Sequence, residues 1–534
     1  MTTHPRKKIE TLWTDIYGTD HPEKRDELFD LLEERRENVE YVPEDTDWYQ
    51  TGVVYSLYVD LFADDFDGLV EKLDYLEELG VTIVWLLPVL ASPMVDQGFD
   101  VSDFTRVRKE LGGNDAFLEF VDAAHERGIK VVFDVPINHS SDQHRWFQNA
   151  RQSESAEYRE YYIWNDDTEK YKETRLLLKG VSDSNWTYNE PTDDYYFNRF
   201  YDVQPDLNYK NPDVLIDMIR ILTRWKVDGV DGFRMDAAPF LWKREGTNCE
   251  NLPETHAILK LFRAAFEYVA EGTVMIAEAN LEPADVVDYF GDGDECHVAY
   301  NFPLMPTFFL ALAENDPTYV TDELASLETL DVPASAQWFT FLRVHDELTL
   351  EFVDPDERQL LNDAYLEDER WSFREGEGIS GRLYNLLDED PRRVLLAYSM
   401  LFSVEGTPII YYGDEVGMEN DESFHAEMNE KLGYDDSRYL HRGPFDEARK
   451  REAMTNEDSD AGTIWTGLRE MIETRTDNPD LFTETPTYRA ENDVFVSTRE
   501  TDDRRLTIYN NVSPDPRTVD GIELDGFGYE WVVR

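Results

Sequence analysis

The sequence predicts an α/β fold: a (β/α)₈ TIM barrel with an inserted subdomain after the third strand, a C-terminal antiparallel β-domain and an N-terminal helical extension. Three observations carry this expectation. Eight short runs rich in β-branched and aromatic residues alternate with amphipathic helical stretches. One interval between runs is far longer than a crossover needs. Near the end of the chain the alternation gives way to strands alone.

Residues 1–45 read as the helical extension, because IETLWTDIYG and KRDELFDLLEERRENVEYV carry apolar residues at helical spacing. The sequence leaves open whether these helices pack on the barrel or form a subunit contact. The barrel is expected over 46–138 and 211–460, with strands VVYSLYVD, TIVWLLP, KVVFDVPIN, VDGFRMD, TVMIAEA, HVAYNF, WFTFLRV and PIIYYGDE. Between them lie helices such as DGLVEKLDYLEELG, NDAFLEFVDAAHERG and NPDVLIDMIRILTRW, each ending near a glycine or turn, as crossover units require. Roughly ninety residues separate the third run from the fourth, which marks an insertion. It is assigned to 139–210, a stretch of aromatics and turn formers such as YYIWNDD and SNWTYNEPTDDYYFNRFYD. Residues 461–534 supply one helix, TIWTGLREMIETR, and the strands DVFVSTRE, RRLTIYNN and YEWVVR of the β-domain.

At 534 residues, 41% hydrophobic and 13% aromatic, the chain can bury a large core, which excludes disorder for most of its length. With 51 basic against 114 acidic residues the formal charge is −63, so nucleic acid and anionic membranes are poor partners. The acids are spread along the chain, and so uniform a self-repulsion suits a salt-rich interior: the expectation is a halophilic, cytoplasmic protein. MTTHPRKKIETLW has no apolar signal region, and no run reaches transmembrane length. Cys249 and Cys296 show no metal-motif spacing and read as reduced packing residues.

Chemistry is suggested by three acids at the ends of apolar runs: Asp236 in GFRMDAAPF, Glu278 in TVMIAEAN and Asp346 in FTFLRVHDE. In a barrel, active-site residues gather at the C-terminal ends of the strands. Carboxylates beside buried runs are costly unless their charge is used, and glycosidic-bond cleavage needs a nucleophile and a proton donor of this kind. Arg234 lies two residues before Asp236 on the same strand face, where it can orient that carboxylate. Asp134, Asn138 and His139 end the third run, and His345 precedes Asp346; imidazoles beside carboxylates can donate to sugar hydroxyls.

The blocks DVPINHSSD (134–142), QPDLN (204–208), GFRMDAAPF (232–240), AEAN (277–280) and RVHDE (343–347), in that order, resemble the α-amylase-type glycoside hydrolases, family thirteen. The resemblance runs from about residue 50 to the C-terminus. It implies Asp236 as nucleophile, Glu278 as acid/base and Asp346 as a residue binding the hydroxyls of a distorted sugar ring. In a retaining enzyme of this kind Glu278 is expected to rest protonated, its pKa lifted by apolar neighbours and by Asp236, while Arg234 holds that of Asp236 down. Phe99, Asp100, His139, Arg234, His345 and Arg442 are the implied substrate-binding residues, Asp100 and Arg442 clamping the non-reducing glucose. For a structural Ca²⁺ the resemblance implies the side chains of Asn138 and Asp206 with carbonyls of Phe240, Leu241 and Lys243.

The activity implied is cleavage of α-1,4-glucosidic bonds in short maltooligosaccharides or starch fragments, with transglycosylation. The alternative is a trehalose synthase, which isomerises maltose, because EGTNCENLPETHAILKLFR, YFGDGDECHVAYNFPLMP and FLRVHDELTLE resemble that branch. The chain departs from the branch at Val344, where an asparagine is usual, at Phe99, where a tyrosine is usual, and at HRGPFDE, which replaces RTPMQW. The short loop DLFADDFDG and the helical extension resemble amylosucrase-like enzymes instead. A catalytically silent carbohydrate-binding subunit is opposed by the intact Asp236, Glu278, Asp346 and Arg234.

Overall fold

A computed structural model describes residues 5–177, 183–433 and 435–534. Residues 1–4 of the expected extension, 178–182 of the expected insertion and 434 of the expected barrel lie outside the described residues.

Eight parallel strands close a barrel: β1 (Val54–Leu57), β2 (Ile83–Leu86), β3 (Lys130–Pro136), β4 (Gly232–Asp236), β5 (Val274–Ala277), β6 (Val298–Tyr300), β7 (Gln337–Phe341) and β8 (Thr407–Tyr411). Each pairs with its neighbour in sequence, and β8 returns to β1. All eight coincide with the expected runs, β7 and β8 each beginning one residue earlier than expected, at Gln337 and Thr407. They are almost wholly buried, because barrel strands are covered by helices outside and by one another's side chains inside. Pairing of β3 with β4 sets Asp134 opposite Arg234 and Pro136 opposite Asp236, while β5 sets Ile276 opposite Arg234. This register delivers three charged side chains to one end of the barrel.

The N-terminal helices α1 (Pro5–Tyr17) and α2 (Pro22–Glu37) pack on the barrel's outer shell, against α4 (Pro212–Val227) and α5 (Pro253–Val269), with α3 (Gly113–Glu126) further along the ring. Ile9, Leu12, Trp13 and Ile16 of α1 are buried at helical spacing. Tyr17 Oη donates to the Tyr209 carbonyl (2.8 Å), and Lys24 Nζ pairs with Asp213 Oδ1 at 2.6 Å. The alternative left open by the sequence thus resolves toward packing on the barrel.

Between β3 and α4 the chain forms a small antiparallel sheet, Trp164–Asn165, Asp194–Phe197 and Trp186–Asn189. Ile163, Tyr171, Trp186 and Phe197 pack there with Cys249, which comes from the loop after β4. Both cysteines are free and buried. A second excursion, absent from the sequence reading, lies between β7 and β8: helix Pro355–Tyr365 and the two-residue strands Leu348–Thr349, Gly378–Ile379 and Ser372–Phe373. Strands so short carry no readable alternation.

The C-terminal sheet has four strands, β9 (Thr487–Glu491), β10 (Val494–Glu500), β11 (Arg505–Asn511) and β12 (Tyr529–Val533). The strand added to the expected three, β9, is a charged, largely exposed edge, so it lacks the apolar alternation of the others. Among the described residues no helix is long and apolar enough to cross a membrane.

Candidate active site

Arg234 is the hub of the barrel's C-terminal mouth. Its Nη1 donates to Asp134 Oδ1 (2.7 Å) and Asp236 Oδ1 (3.1 Å), and its Nη2 donates to Glu278 Oε1 (2.5 Å). Arg234 and Asp236 point the same way because strand side chains alternate. Glu278 is one residue beyond β5, its N–H bonded to the Met235 carbonyl at 3.2 Å, which sets it beside Asp236. Ala237 adopts a left-handed backbone (φ 58°), a strained conformation for alanine, and this turns its N–H to donate to Glu278 Oε2 (3.2 Å). Glu278 is thus held at both oxygens. Below the guanidinium, Trp85 Nε1 donates to Asp134 Oδ2 (3.3 Å), and the rings of Trp85, Phe99 and Tyr300 lie 5.4, 5.7 and 5.9 Å from the Arg234 charge.

The site is graded in depth. The side chain of Asp134 is 0% exposed and that of Arg234 3%, whereas Asp236, Glu278 and Asp346 are 12%, 24% and 37% exposed. The inner pair is shut off from solvent, whereas the outer three acids reach the open end of the barrel. Asp236 and Glu278 share the Arg234 guanidinium, which sets their carboxyls beside each other.

Burial first, and then the charge of Glu278, push the Asp236 pKa well above the usual carboxylate range, with Arg234 opposing. This differs from the sequence expectation that Arg234 would hold Asp236 down. The reason is depth: Asp236 is the less exposed of two adjacent carboxyls, and Arg234 divides its donors among three acids. Asp236 therefore gives up its proton less readily than an exposed carboxyl. Asp134 behaves similarly, raised to about 6 by burial against the pull of Arg234.

Asp346 is anchored differently. Its Oδ1 accepts from Arg438 Nη1 and from Arg442 Nη2, both at 3.1 Å, and its Oδ2 lies 3.2 Å from His345 Nε2. Burial pushes its pKa up, but His345, Arg438, Arg442 and Arg234 outweigh burial and hold it below the usual carboxylate range. His345 is lowered to about 3 and His139 to about 4, both chiefly by burial, so each is a neutral imidazole near pH 7. Phe99 stacks on His345 at 6.0 Å between ring centres.

Asp100 and Arg442, the expected clamp, engage separate partners. Asp100 is fully buried and accepts from Ser92 Oγ (2.8 Å) and from the N–H groups of Asp96 (3.1 Å) and Val95 (3.1 Å), organising the loop after β2. Arg442 instead bonds Asp346, the His345 carbonyl (2.6 Å) and Gln97 Oε1. Gln97 also accepts from Tyr58 Oη (3.3 Å), and Gln204 Nε2 donates to Asp96 Oδ2 (2.9 Å), so this loop is tied to both sides of the mouth. The sequence reading missed Trp85, Tyr300, Gln97 and Arg438. Trp85 and Tyr300 were within reach of strand alternation; Gln97 and Arg438 sit in loops without periodicity.

The implied calcium ligands also meet, but not around space for an ion. Lys243 Nζ donates to Asn138 Oδ1 (2.7 Å) and pairs with Asp206 Oδ2 at 2.7 Å. The Lys243 side chain thus faces those oxygens. Phe240 and Leu241 flank it in the loop after β4. As arranged, these residues do not fit a divalent cation.

A closed parallel barrel with two adjacent carboxyls gripped by one arginine, and a third acid anchored at its rim, defines a glycosidase-type enzyme. Residues 44–352 match the family model of the α-amylase catalytic domain, and the chain belongs to the α-amylase family. Among its relatives is the trehalose synthase/amylase TreS of Mycolicibacterium smegmatis, 45% identical over 388 residues, covering 71% of this chain and 65% of that protein. The chain thus spans just under two thirds of the length of that relative. The oligo-1,6-glucosidase of Bacillus cereus is 31% identical over 394 residues, covering 70% of this chain and 66% of that protein. In fold, the chain is similar to the crystal structure of the α-glucosyl transfer enzyme XgtA, with a TM-score of 0.72 at 22% identity over 91% of this chain and 99% of that one.

Proposed function

We propose that this enzyme interconverts maltose and trehalose by retaining glucosyl transfer. Asp236 attacks the anomeric carbon while Glu278 protonates the departing glycosidic oxygen; the released glucose turns, and Glu278 takes a proton from its hydroxyl as it attacks the glucosyl-enzyme. Arg234 aligns both carboxyls, and Asp346, fixed by Arg438 and Arg442, binds ring hydroxyls.

Support comes from the likeness to trehalose synthases and from one observation, the cross-tied wall over the site. Isomerisation requires that free glucose be held while water is kept out. The excursion after β7 and the loop after β8 are joined by Arg370 Nη1 to Glu422 Oε2 (2.6 Å), Ser380 Oγ to Ser437 Oγ (2.9 Å) and the Gly381 N–H to His441 Nδ1 (3.2 Å). A second reading, hydrolysis of short α-1,4-linked maltooligosaccharides, is favoured by the partial exposure of Glu278 and Asp346, which leaves water a path.

Product analysis after incubation with maltose, trehalose and maltotriose tests both. Trehalose from maltose and maltose from trehalose are expected. Glucose alone would replace the first reading with the second, and no product from any of the three would refute both.

A further inference from the structure

We infer that Lys243 is a built-in cation that replaces a structural calcium ion, so that this enzyme keeps its inserted segment docked on the barrel without metal. The three groups come from three parts of the fold: Asn138 follows β3, Asp206 ends the inserted segment, and Lys243 lies in the loop that begins at the left-handed Ala237, directly after Asp236. The lysine side chain is 1% exposed and that of Asp206 0%.

Each side-chain oxygen that a cation would use already has a polar group against it. Asn138 Oδ1 and Asp206 Oδ2 each lie 2.7 Å from Nζ, and Asp206 Oδ1 accepts from the Arg199 N–H at 2.9 Å. Calcium sits about 2.3–2.6 Å from its oxygens and takes six to eight of them. An ion bound to both Asn138 and Asp206 from the side of Lys243 would overlap the ammonium. From any side, it would add its charge to that of an ammonium already matched by Asp206 in a buried setting.

The neighbourhood is consistent with a charge balance completed by lysine. Arg199, fully buried, pairs with Glu250 at 2.5 Å and stacks over Phe240, 4.6 Å from the ring centre. Asp206 is thereby left as the partner of Lys243. The backbone of His139 forms an isolated bridge with that of Asp206. The backbone ties run through the same residues: the Leu207 N–H donates to the Asn138 carbonyl at 2.8 Å, and the Asp206 N–H to the Phe197 carbonyl at 3.0 Å. The ammonium thus pins the loop that follows Asp236 to the seam between barrel and insertion. This is a positioning role, exerted through the fold.

The test uses thermal unfolding and elemental analysis of the full chain at constant ionic strength. The wild type, dialysed against chelator and then against calcium, is expected to carry less than a tenth of an equivalent of bound calcium and to unfold at the same temperature in either state. One equivalent of retained calcium, or a midpoint that chelator lowers and calcium restores, would overturn the inference. Lys243→Met leaves Asp206 buried without a partner and is expected to lower the midpoint by several degrees, with or without calcium. A Lys243→Met midpoint equal to wild type would also overturn it. Lys243→Glu adds a third oxygen side chain to the two already there and is expected to gain a calcium-dependent rise in midpoint. A folded Lys243→Glu protein indifferent to calcium would show that Lys243 does not stand in a cation's place. Should Lys243→Glu fail to fold, the wild-type metal content and Lys243→Met decide the matter.

Discussion

Arg438 Nη1 lies 3.1 Å from Asp346 Oδ1, while its Nε and Nη2 bond both oxygens of Asp436 at 2.9 and 2.8 Å. One guanidinium therefore fixes the rim carboxylate to the short helix Ser437–Leu440 that carries Arg438 itself. Its face also covers the Phe373 ring, 4.8 Å from the ring centre, which links it to the excursion after β7. Arg438→Gln removes a charged hydrogen bond from Asp346 but leaves Arg442 and His345 in place. Such a bond is worth about 1.5–3 kcal/mol, so kcat/KM on maltose is expected to fall roughly ten- to hundredfold. Arg438→Lys, which keeps the charge without the fork, should recover part of it. Wild-type kinetics in Arg438→Gln would show that Arg442 alone anchors Asp346.

Asp236→Asn is expected to abolish turnover while leaving the fold intact, because an amide cannot attack the anomeric carbon. The expected loss is several orders of magnitude, or roughly 4 kcal/mol of barrier or more. Glu278→Gln should differ in kind: natural sugars fail, but a substrate with an activated leaving group still forms the glucosyl-enzyme, since that step needs no proton donor. Intact-mass measurement of the trapped adduct distinguishes the two variants. If Glu278→Gln handles natural and activated substrates as the wild type does, another group supplies the proton.

The barrel was legible because its strands are nearly pure apolar runs, and the three acids were legible because they interrupt the ends of those runs. Contacts between distant loops were not. Nothing local in HRGPFDE or DDSRYL says that two arginines converge on one oxygen of Asp346. Lys243 was read through its backbone carbonyl, whereas its side chain crosses the seam to Asn138 and Asp206. The raised pKa of Asp236 was not foreseen because it depends on depth of burial, which one-dimensional neighbours do not encode. The contacts of Asp100 show the same limit: nothing local in QGFDVSD says that its carboxylate accepts from Ser92 and two backbone N–H groups.

The formal charge of −63 gives a further expectation. Repulsion among exposed carboxylates acts across the whole surface, and the screening length falls from about 10 Å at 0.1 M salt to about 3 Å at 1 M. The unfolding midpoint should therefore climb as sodium chloride is raised from 0.1 M into the molar range. The rise should be smaller when an uncharged osmolyte of equal osmolality replaces the salt. A midpoint flat across the series would mean that local ion pairs already neutralise the repulsion, and the halophilic reading would fall.

His144 offers a pH test outside the catalytic residues. It is 3% exposed, and its Nδ1 accepts from the Trp146 N–H (3.2 Å) at the start of helix Arg145–Ala150. Burial lowers its pKa to about 3, with Asp103 opposing and Arg145 assisting. The unfolded chain takes up this proton near pH 6.5, whereas the folded protein resists it until about pH 3. A folded-state pKa below the unfolded value means that the neutral ring stabilises the fold above pH 6.5, and that this contribution is lost as pH falls toward 3. His144→Asn keeps a side-chain acceptor for the helix start but removes the titration. The stability difference between wild type and His144→Asn, read from urea unfolding, is therefore expected to shift against the wild type below pH 6.5. The shift should approach about 1.4 kcal/mol per pH unit. Taking the difference between two proteins cancels the opposing titration of Asp96, Asp134 and Asp414, whose raised pKa values of about 6, 6 and 7 stabilise the fold in acid instead. A difference constant from pH 7 to 5 would mean that His144 is free to accept its proton in the folded state.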